Sequence, residues 1–252
     1  MKISKALVDA TLKTGLPPID MRFFPCYNEE GNTVAYYGMT ILNTVEFGVL
    51  TPSQYRLVAG RTNQAIRLGE KSVDKAILEL RRRMSTLGEY EYVMLELPRK
   101  MLDNDLLAGI LEERFATGDF LVRDKLCILF GSDILLTDPA QTVPRLKTLT
   151  ALGVRIGITD FGDESTSTLR LAQFPFDIAV LDRSVADYVR EGKDAALSAT
   201  VAFAKALGLQ VYMNGTLNDD ERLRAFKCGV KALLDTEIIT QPPVRAEEVQ
   251  DG

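Results

Sequence analysis

From Tyr92 onward the chain alternates short apolar runs with helical patterns, and few architectures accept such a rhythm. The runs are Tyr92–Leu97, Lys125–Phe130, Val154–Ile158, Ile178–Leu181, Leu209–Met213 and Ala232–Leu234. Between them lie helical patterns at Asp105–Ala116, from Asp138-Pro139 to about Leu152, at Ser167–Gln173, at Val185–Leu207 before Gly208, and at Asp219–Lys227. Strands alternating with helices, with no linker longer than a normal loop, predict a parallel sheet with helices outside it. The stretch Gly153–Asp182 is the clearest unit: two apolar runs, each stopping at an aspartate (Asp160 and Asp182), joined by a turn at Phe161-Gly162-Asp163 and a short helix. Such strand ends carry the chemistry of α/β folds. A (β/α) barrel is the expected closure and a doubly wound open sheet the alternative.

The first ninety residues differ. Met21–Tyr27 and Thr33–Leu42 read as strands about a turn at Asn28–Asn32, so the chain opens with an antiparallel hairpin. Residues 1–16 are amphipathic, lack a signal-peptide core and read as a first helix ended by Pro17-Pro18. Thr51-Pro52-Ser53 opens a helix over Ser53–Ala59, and Asn63–Leu87 continues with apolar residues at three- and four-residue spacings. The 252 residues are expected to form one domain, 1–252, with the helix inside 1–18 and a polar tail over 241–252.

Composition removes whole classes of function. The chain has no histidine, which excludes Ser-His-Asp and Cys-His catalysis and histidine-ligated metals. A net charge of -5 gives no footprint for nucleic acid. Arg81-Arg82-Arg83 lies in a helical pattern and reads as a solvated face. Cys26, Cys127 and Cys228 are scattered, odd in number and without C-x-x-C spacing, which predicts reduced thiols in a cytoplasmic protein. No apolar run reaches the ~18 residues of a membrane span.

Several segments together carry a resemblance. LGVRIGITDFGDESTSTLRLAQFPFDIAVLDRSV is similar to "LG-x-x-x-ALDDFG-x-G-x-SS-x-x-x-L-x-x-x-P-x-D-x-LKIDRSF" of the bacterial EAL domain. FGVLTPSQYRLVA resembles that family's "G-x-L-x-P-x-x-F-I-x-x-AE", and FFPCY its "YQPI". The resemblance covers nearly the whole chain. It implies an α/β fold, the EAL-like modified (β/α)8 TIM barrel with an antiparallel first strand, and the activity of a cyclic-di-GMP phosphodiesterase. That activity uses two divalent cations, which polarise the phosphate and activate water.

Carried over position by position, the family's chemical residues mostly change. The glutamate of "EAL" falls on Gly38 and the phosphate-holding arginine after it on Leu42. The metal-binding asparagine falls on Glu96, and the "E-x-T-E" glutamates on Leu129 and Ser132. Thr159 takes the first aspartate of "DDFG" and Asp160 the second; Val180 takes the lysine of "KID" and Asp182 its aspartate. "AEGVE" becomes Met213-Asn214-Gly215-Thr216-Leu217, and the glutamine of "QGY" falls near Leu234 or Asp235.

Glu96, Asp160 and Asp182 are therefore the carboxylates left at strand ends. They could gather one cation, or each could pair with a neighbouring cation or backbone N–H. The losses lead to the expectation of a pseudoenzyme: no enzyme activity, no catalytic residues, no resident metal and no cofactor. Cyclic-di-GMP is then not expected as a ligand, since Leu42 replaces the phosphate-holding arginine and Arg22, Arg99 or Arg183 would have to substitute for it. The expected role is regulation or scaffolding through an unnamed protein partner, with neither nucleic acid nor membrane involved. Leu42, Leu129, Val180 and Leu217 either make the mouth apolar or fill it, and exposed Tyr36, Tyr37 and Tyr212 would favour an interface. A nucleotide receptor, and an enzyme of altered chemistry using Glu96, Asp160 or Asp182, are the alternatives. The resemblance also implies a homodimer.

Overall fold

The computed structural model describes residues 17–45, 47–52, 54–55, 64–83, 90–116, 120–162 and 168–236. The expected helix at the start, most of the helix at Ser53–Ala59, the turn residue Asp163 and the polar tail fall outside them. Among the described residues, nine strands form one sheet: β1 (Ile19–Tyr27), β2 (Thr33–Thr44), β3 (Gly48–Leu50), β4 (Tyr92–Glu96), β5 (Leu126–Gly131), β6 (Arg155–Phe161), β7 (Ile178–Leu181), β8 (Gln210–Asn214) and β9 (Ala232–Leu234). The order is β1-β9-β8-β7-β6-β5-β4-β2-β3, and β1 also pairs with β2. That pairing joins the ends of the sheet, so eight strands close into a barrel with β3 hanging from β2. The open doubly wound alternative is thereby excluded.

β1 runs antiparallel to both its neighbours, from Ile19 opposite Leu42 to Tyr27 opposite Leu233. The remaining barrel pairs, from β2–β4 round to β8–β9, are all parallel. The helices are α1 (Gln64–Arg83), α2 (Leu106–Phe115), α3 (Phe120–Asp124), α4 (Pro139–Ala151), α5 (Val185–Arg190), α6 (Asp194–Ala206) and α7 (Asp219–Lys227), with 3-10 turns at Arg99–Asp105, Ser132–Leu136 and Thr168–Gln173. Local chemistry sets many of these limits. Asp138 caps α4, its carboxylate accepting from the Ala140 N–H, and Pro139 follows at the first helical position. Asn218 and Glu221 close a reciprocal capping box on α7. The single helix expected over Val185–Leu207 is two, because Gly192 between α5 and α6 has φ 73°, a conformation the right-handed helix cannot contain.

Alternation along the strands sorts the core into two layers. Val93, Leu95, Ile128, Phe130, Ile156, Ile158 and their equivalents face the helices. Cys26, Ala35, Tyr37, Tyr92, Met94, Cys127, Leu129, Ile178, Val180, Tyr212, Ala232 and Leu234 fill the barrel. The interior is thus a packed core and not a pore. Its floor is polar. Tyr92 and Tyr212 share a hydrogen bond of 2.5 Å, Tyr92 reaches Gln210 Oε1 at 2.6 Å, and Lys231 Nζ donates to Gln210 at 2.9 Å and to Glu91 at 2.6 Å. Further up, Gly157 makes room for its neighbours: a Cβ there would lie 2.6 Å from Leu129 Cδ2 and 2.8 Å from the Ile178 carbonyl oxygen.

Gly157→Ala is therefore expected to destabilise the barrel by about 1–3 kcal/mol, since the second contact is backbone that cannot swing aside. Urea denaturation would measure it. Burial pushes the Cys26 and Cys127 thiols up, so both stay protonated in the fold while the unfolded chain ionises its own near pH 8.5. The unfolded state then binds fewer protons, so stability is full below about pH 8.5 and falls above it by up to about 1.4 kcal/mol per pH unit for each thiol. A pH series of melts on the protein and on its Cys26→Ala/Cys127→Ala variant, which should lose this part of the slope, tests that.

Candidate functional site

The C-terminal ends of the parallel strands define the mouth, and strand phase decides which side chains reach it. Along β2, Ala35 and Tyr37 lie in the inner layer and Met39 packs against it. Gly38 points the other way, where a Cβ would lie 3.2 Å from Met21 Sδ and 3.3 Å from Phe23 Cε1. The position facing the mouth is therefore Tyr37, one residue from the place the resemblance assigned to the "EAL" glutamate. Leu42 likewise faces outward, in a cluster with Leu50, Tyr55 and Leu68. A one-residue slip moves a strand residue to the opposite face, which is why this assignment was vulnerable.

Tyr37 does more than fill space. Its hydroxyl donates to Glu96 Oε2 at 2.8 Å. Glu96, at the end of β4, is half-buried, and with Met39, Leu97 and Pro98 it lines a small cavity above Thr40 and Ser72. Those two hydroxyls share a 2.8 Å hydrogen bond, and the Tyr55 hydroxyl donates to the Thr40 carbonyl at 2.8 Å. This pocket wall is held by bonds between side chains that sequence spacing could not pair, because they join β2, β4 and α1.

The other strand-end positions divide by chemistry. Leu129 and Val180 belong to the inner layer and are 0% and 1% exposed. Thr159 is buried, opposite Gly131 of β5. Asp160 follows at a break in the β6–β7 register with φ 57°, a left-handed conformation that aspartate tolerates better than most residues. Asp182 stands just beyond β7 and turns to its own chain, accepting from the Ser184 N–H at 2.8 Å and the Ser184 hydroxyl at 2.5 Å. Asn214 at the end of β8 donates to Thr236 Oγ1 at 3.0 Å. Beside it, Thr216 donates to Asp235 at 2.6 Å and accepts from Arg183 at 3.3 Å.

Glu96, Asp160 and Asp182 do sit at strand ends of one barrel, as the sequence predicts, but they are not gathered into a ligand set. Among the described residues no three acidic or cysteine side chains come together as metal donors. A cation pair needs several hard oxygen donors, and Leu129, Val180 and Thr159 offer hydrocarbon or a neutral hydroxyl at the inner positions. The residues present do not fit a pair of divalent cations. Nor is the mouth an apolar docking face. Leu129 and Val180 fill the barrel, Leu42 fills the space under β3, and Leu217 packs against the outer layer. Tyr37 and Tyr212 are buried, and Tyr36 packs edge-on against Tyr90 at 5.5 Å.

Comparison with known proteins bears on the same barrel. The EAL domain family matches residues 16–234. The chain is similar to the cyclic di-GMP phosphodiesterase RocR of Pseudomonas aeruginosa, 26% identical over 189 residues, which are 74% of this chain and 48% of that protein. It is also similar to the bifunctional diguanylate cyclase/cyclic di-GMP phosphodiesterase MucR of the same organism, 26% identical over 202 residues, covering 75% of this chain and 28% of that one. The chain thus spans less than half the length of these curated relatives. Among solved structures, the PaMucR phosphodiesterase in complex with c-di-GMP superposes with a TM-score of 0.77 at 20% identity, covering 91% of this chain and 93% of that one, and so shares the fold.

Two expectations are corrected by these matches. The expectation of no enzyme activity is overturned, because RocR and MucR, both matched in sequence, are named as phosphodiesterases. The expectation that cyclic-di-GMP is not a ligand is overturned with it, since those relatives act on that dinucleotide and a fold neighbour was solved with it bound. The protein-contact reading also loses the exposed tyrosines that would have favoured it. Among the described residues, no helix is long and apolar enough to cross a membrane.

The Tyr37–Glu96 bond crosses two strands, so its strength is measurable as a coupling. In a double-mutant cycle of Tyr37→Phe and Glu96→Ala, each single change is expected to cost about 1–2 kcal/mol and the double less than their sum. Additive costs would mean the bond contributes nothing.

Proposed function

Because the chain belongs to the EAL domain family, a family of cyclic-di-GMP signalling, we propose that its barrel mouth takes cyclic-di-GMP as substrate or ligand. One observation carries this reading. The family match runs through every strand of the closed barrel, so the whole scaffold that presents the mouth is the family's.

The mouth has suitable chemistry for the bases. Carboxylates such as Glu96 and Asp182 accept hydrogen bonds from donors, and the guanine edge offers N1–H and an amino group. Asn214 adds a donor on the inner face, its amide group carrying a second N–H beside the one given to Thr236. The phosphates need positive charge instead, because Glu96, Asp160, Asp182 and Asp235 all lie around the same rim. Fixed side chains and a closed barrel give a preorganised surface, which lowers the cost of ordering on binding.

Calorimetric titration tests the proposal. A Kd tighter than about 10 μM is expected for cyclic-di-GMP, with cyclic-di-AMP weaker because adenine presents no N1–H. Chromatography of the same mixture after incubation with Mg²⁺ or Mn²⁺ reports turnover, through appearance of the linear dinucleotide. Absence of binding at hundreds of micromolar dinucleotide, with no linear product, would sink the reading.

A further inference from the structure

An anionic phosphodiester at an acidic rim must find a cation, and most arginines near this mouth are already engaged. Arg99 lies 3.3 Å from Asp133. Arg183 donates to Thr216 at 3.3 Å and lies 4.0 Å from Asp235. Arg190 bonds Asp187 and the Thr216 carbonyl.

Arg22 differs. Along β1, Phe24 and Cys26 pack into the barrel while Met21 and Phe23 pack against the outer layer. By the alternation of a strand, Arg22 is on the inner face. Because β1 runs antiparallel, its start lies at the mouth, and Arg22 pairs directly with Met39. Gly38 pairs with Leu95, so Met39 stands level with the end of β4, where Glu96 begins the rim. Arg22 is exposed, and among the described residues no hydrogen bond or ion pair engages its guanidinium.

We propose that Arg22 is a phosphate-binding residue of the mouth, holding a phosphate of the dinucleotide in the absence of any divalent cation. The inference rests on the reading of the mouth as a cyclic-di-GMP site. Its basis is geometric: a fork of N–H donors stands at the rim, and the oxygen donors that a cation pair would need are replaced by leucine, valine and threonine. A guanidinium binds phosphate through two parallel hydrogen bonds and keeps its charge at every working pH.

The test is titration of cyclic-di-GMP into the protein, Arg22→Ala, Arg22→Lys and Arg99→Ala, in EDTA and again in Mg²⁺. The unmodified protein is expected to bind equally well in both buffers. Arg22→Ala should weaken binding about ten- to hundredfold and flatten its dependence on salt, as loss of one charged contact does. Arg22→Lys should recover part of the affinity, and Arg99→Ala should leave it unchanged. Since Arg22 is exposed, its variants should melt with the parent, which separates contact from folding. Binding by Arg22→Ala equal to the parent, or binding that requires Mg²⁺, overturns the inference and leaves the mouth reading standing. Silence of the unmodified protein in both buffers overturns the mouth reading and this inference together.

Discussion

Everything in this fold depends on how β1 is held. A run of parallel strands from β2 to β9 has two free edges, and each presents unpaired backbone donors and acceptors. β1 satisfies both, lying antiparallel along β2 over nine residue pairs and touching β9 at Tyr27. The contact with β9 is brief, so the hairpin carries most of the seam. The antiparallel direction also brings the beginning of β1 to the end where the other strands finish. An element near the start of the chain can thereby contribute side chains to a rim that β2 and the strands beyond residue 90 also build.

Closure forces the interior to be filled, and the filling explains the altered chemistry of the mouth. Leu129 and Val180 would be poor replacements for charged groups if the mouth stayed open and wet. Inside a barrel they are ordinary core, and Gly157 leaves room for the leucine. Tyr37 completes the change. It keeps a polar atom at the top of the layer, and that atom is spent on Glu96. The rim is thus neither a metal cage nor a hydrophobic face, and its polar groups largely face one another.

Much of the scaffold is written locally. The Tyr92, Ile178 and Ala232 runs each begin a strand where their composition predicts, and Asp138-Pro139 opens α4 by cap chemistry that any sequence reader can see. The break at Gly192 was also visible as a residue, but its consequence was not. A glycine within a helical pattern is tolerated in some contexts, and only the packing of α5 and α6 settles this one. Strand phase was the least legible feature of the site. Between Tyr37 and Gly38 the sequence gives no reason to prefer either face, and the answer lies in Met21 and Phe23 on the neighbouring strand. The partners of Glu96 and Asp182 were illegible for different reasons. The first comes from another strand 59 residues away, and the second from a turn two residues on.

The tyrosine pair at the bottom has a consequence for kinetics. Tyr92 and Tyr212, bonded to each other beneath the packed layer above, close the barrel at its base. With the interior filled, a molecule that docks at the rim arrives from and departs to the same solvent side. A change beside the rim that obstructs this approach without touching the docked molecule slows both rates in proportion and leaves the equilibrium where it was. In a signalling domain, such a change would alter the duration of a response without altering the ligand concentration that triggers it.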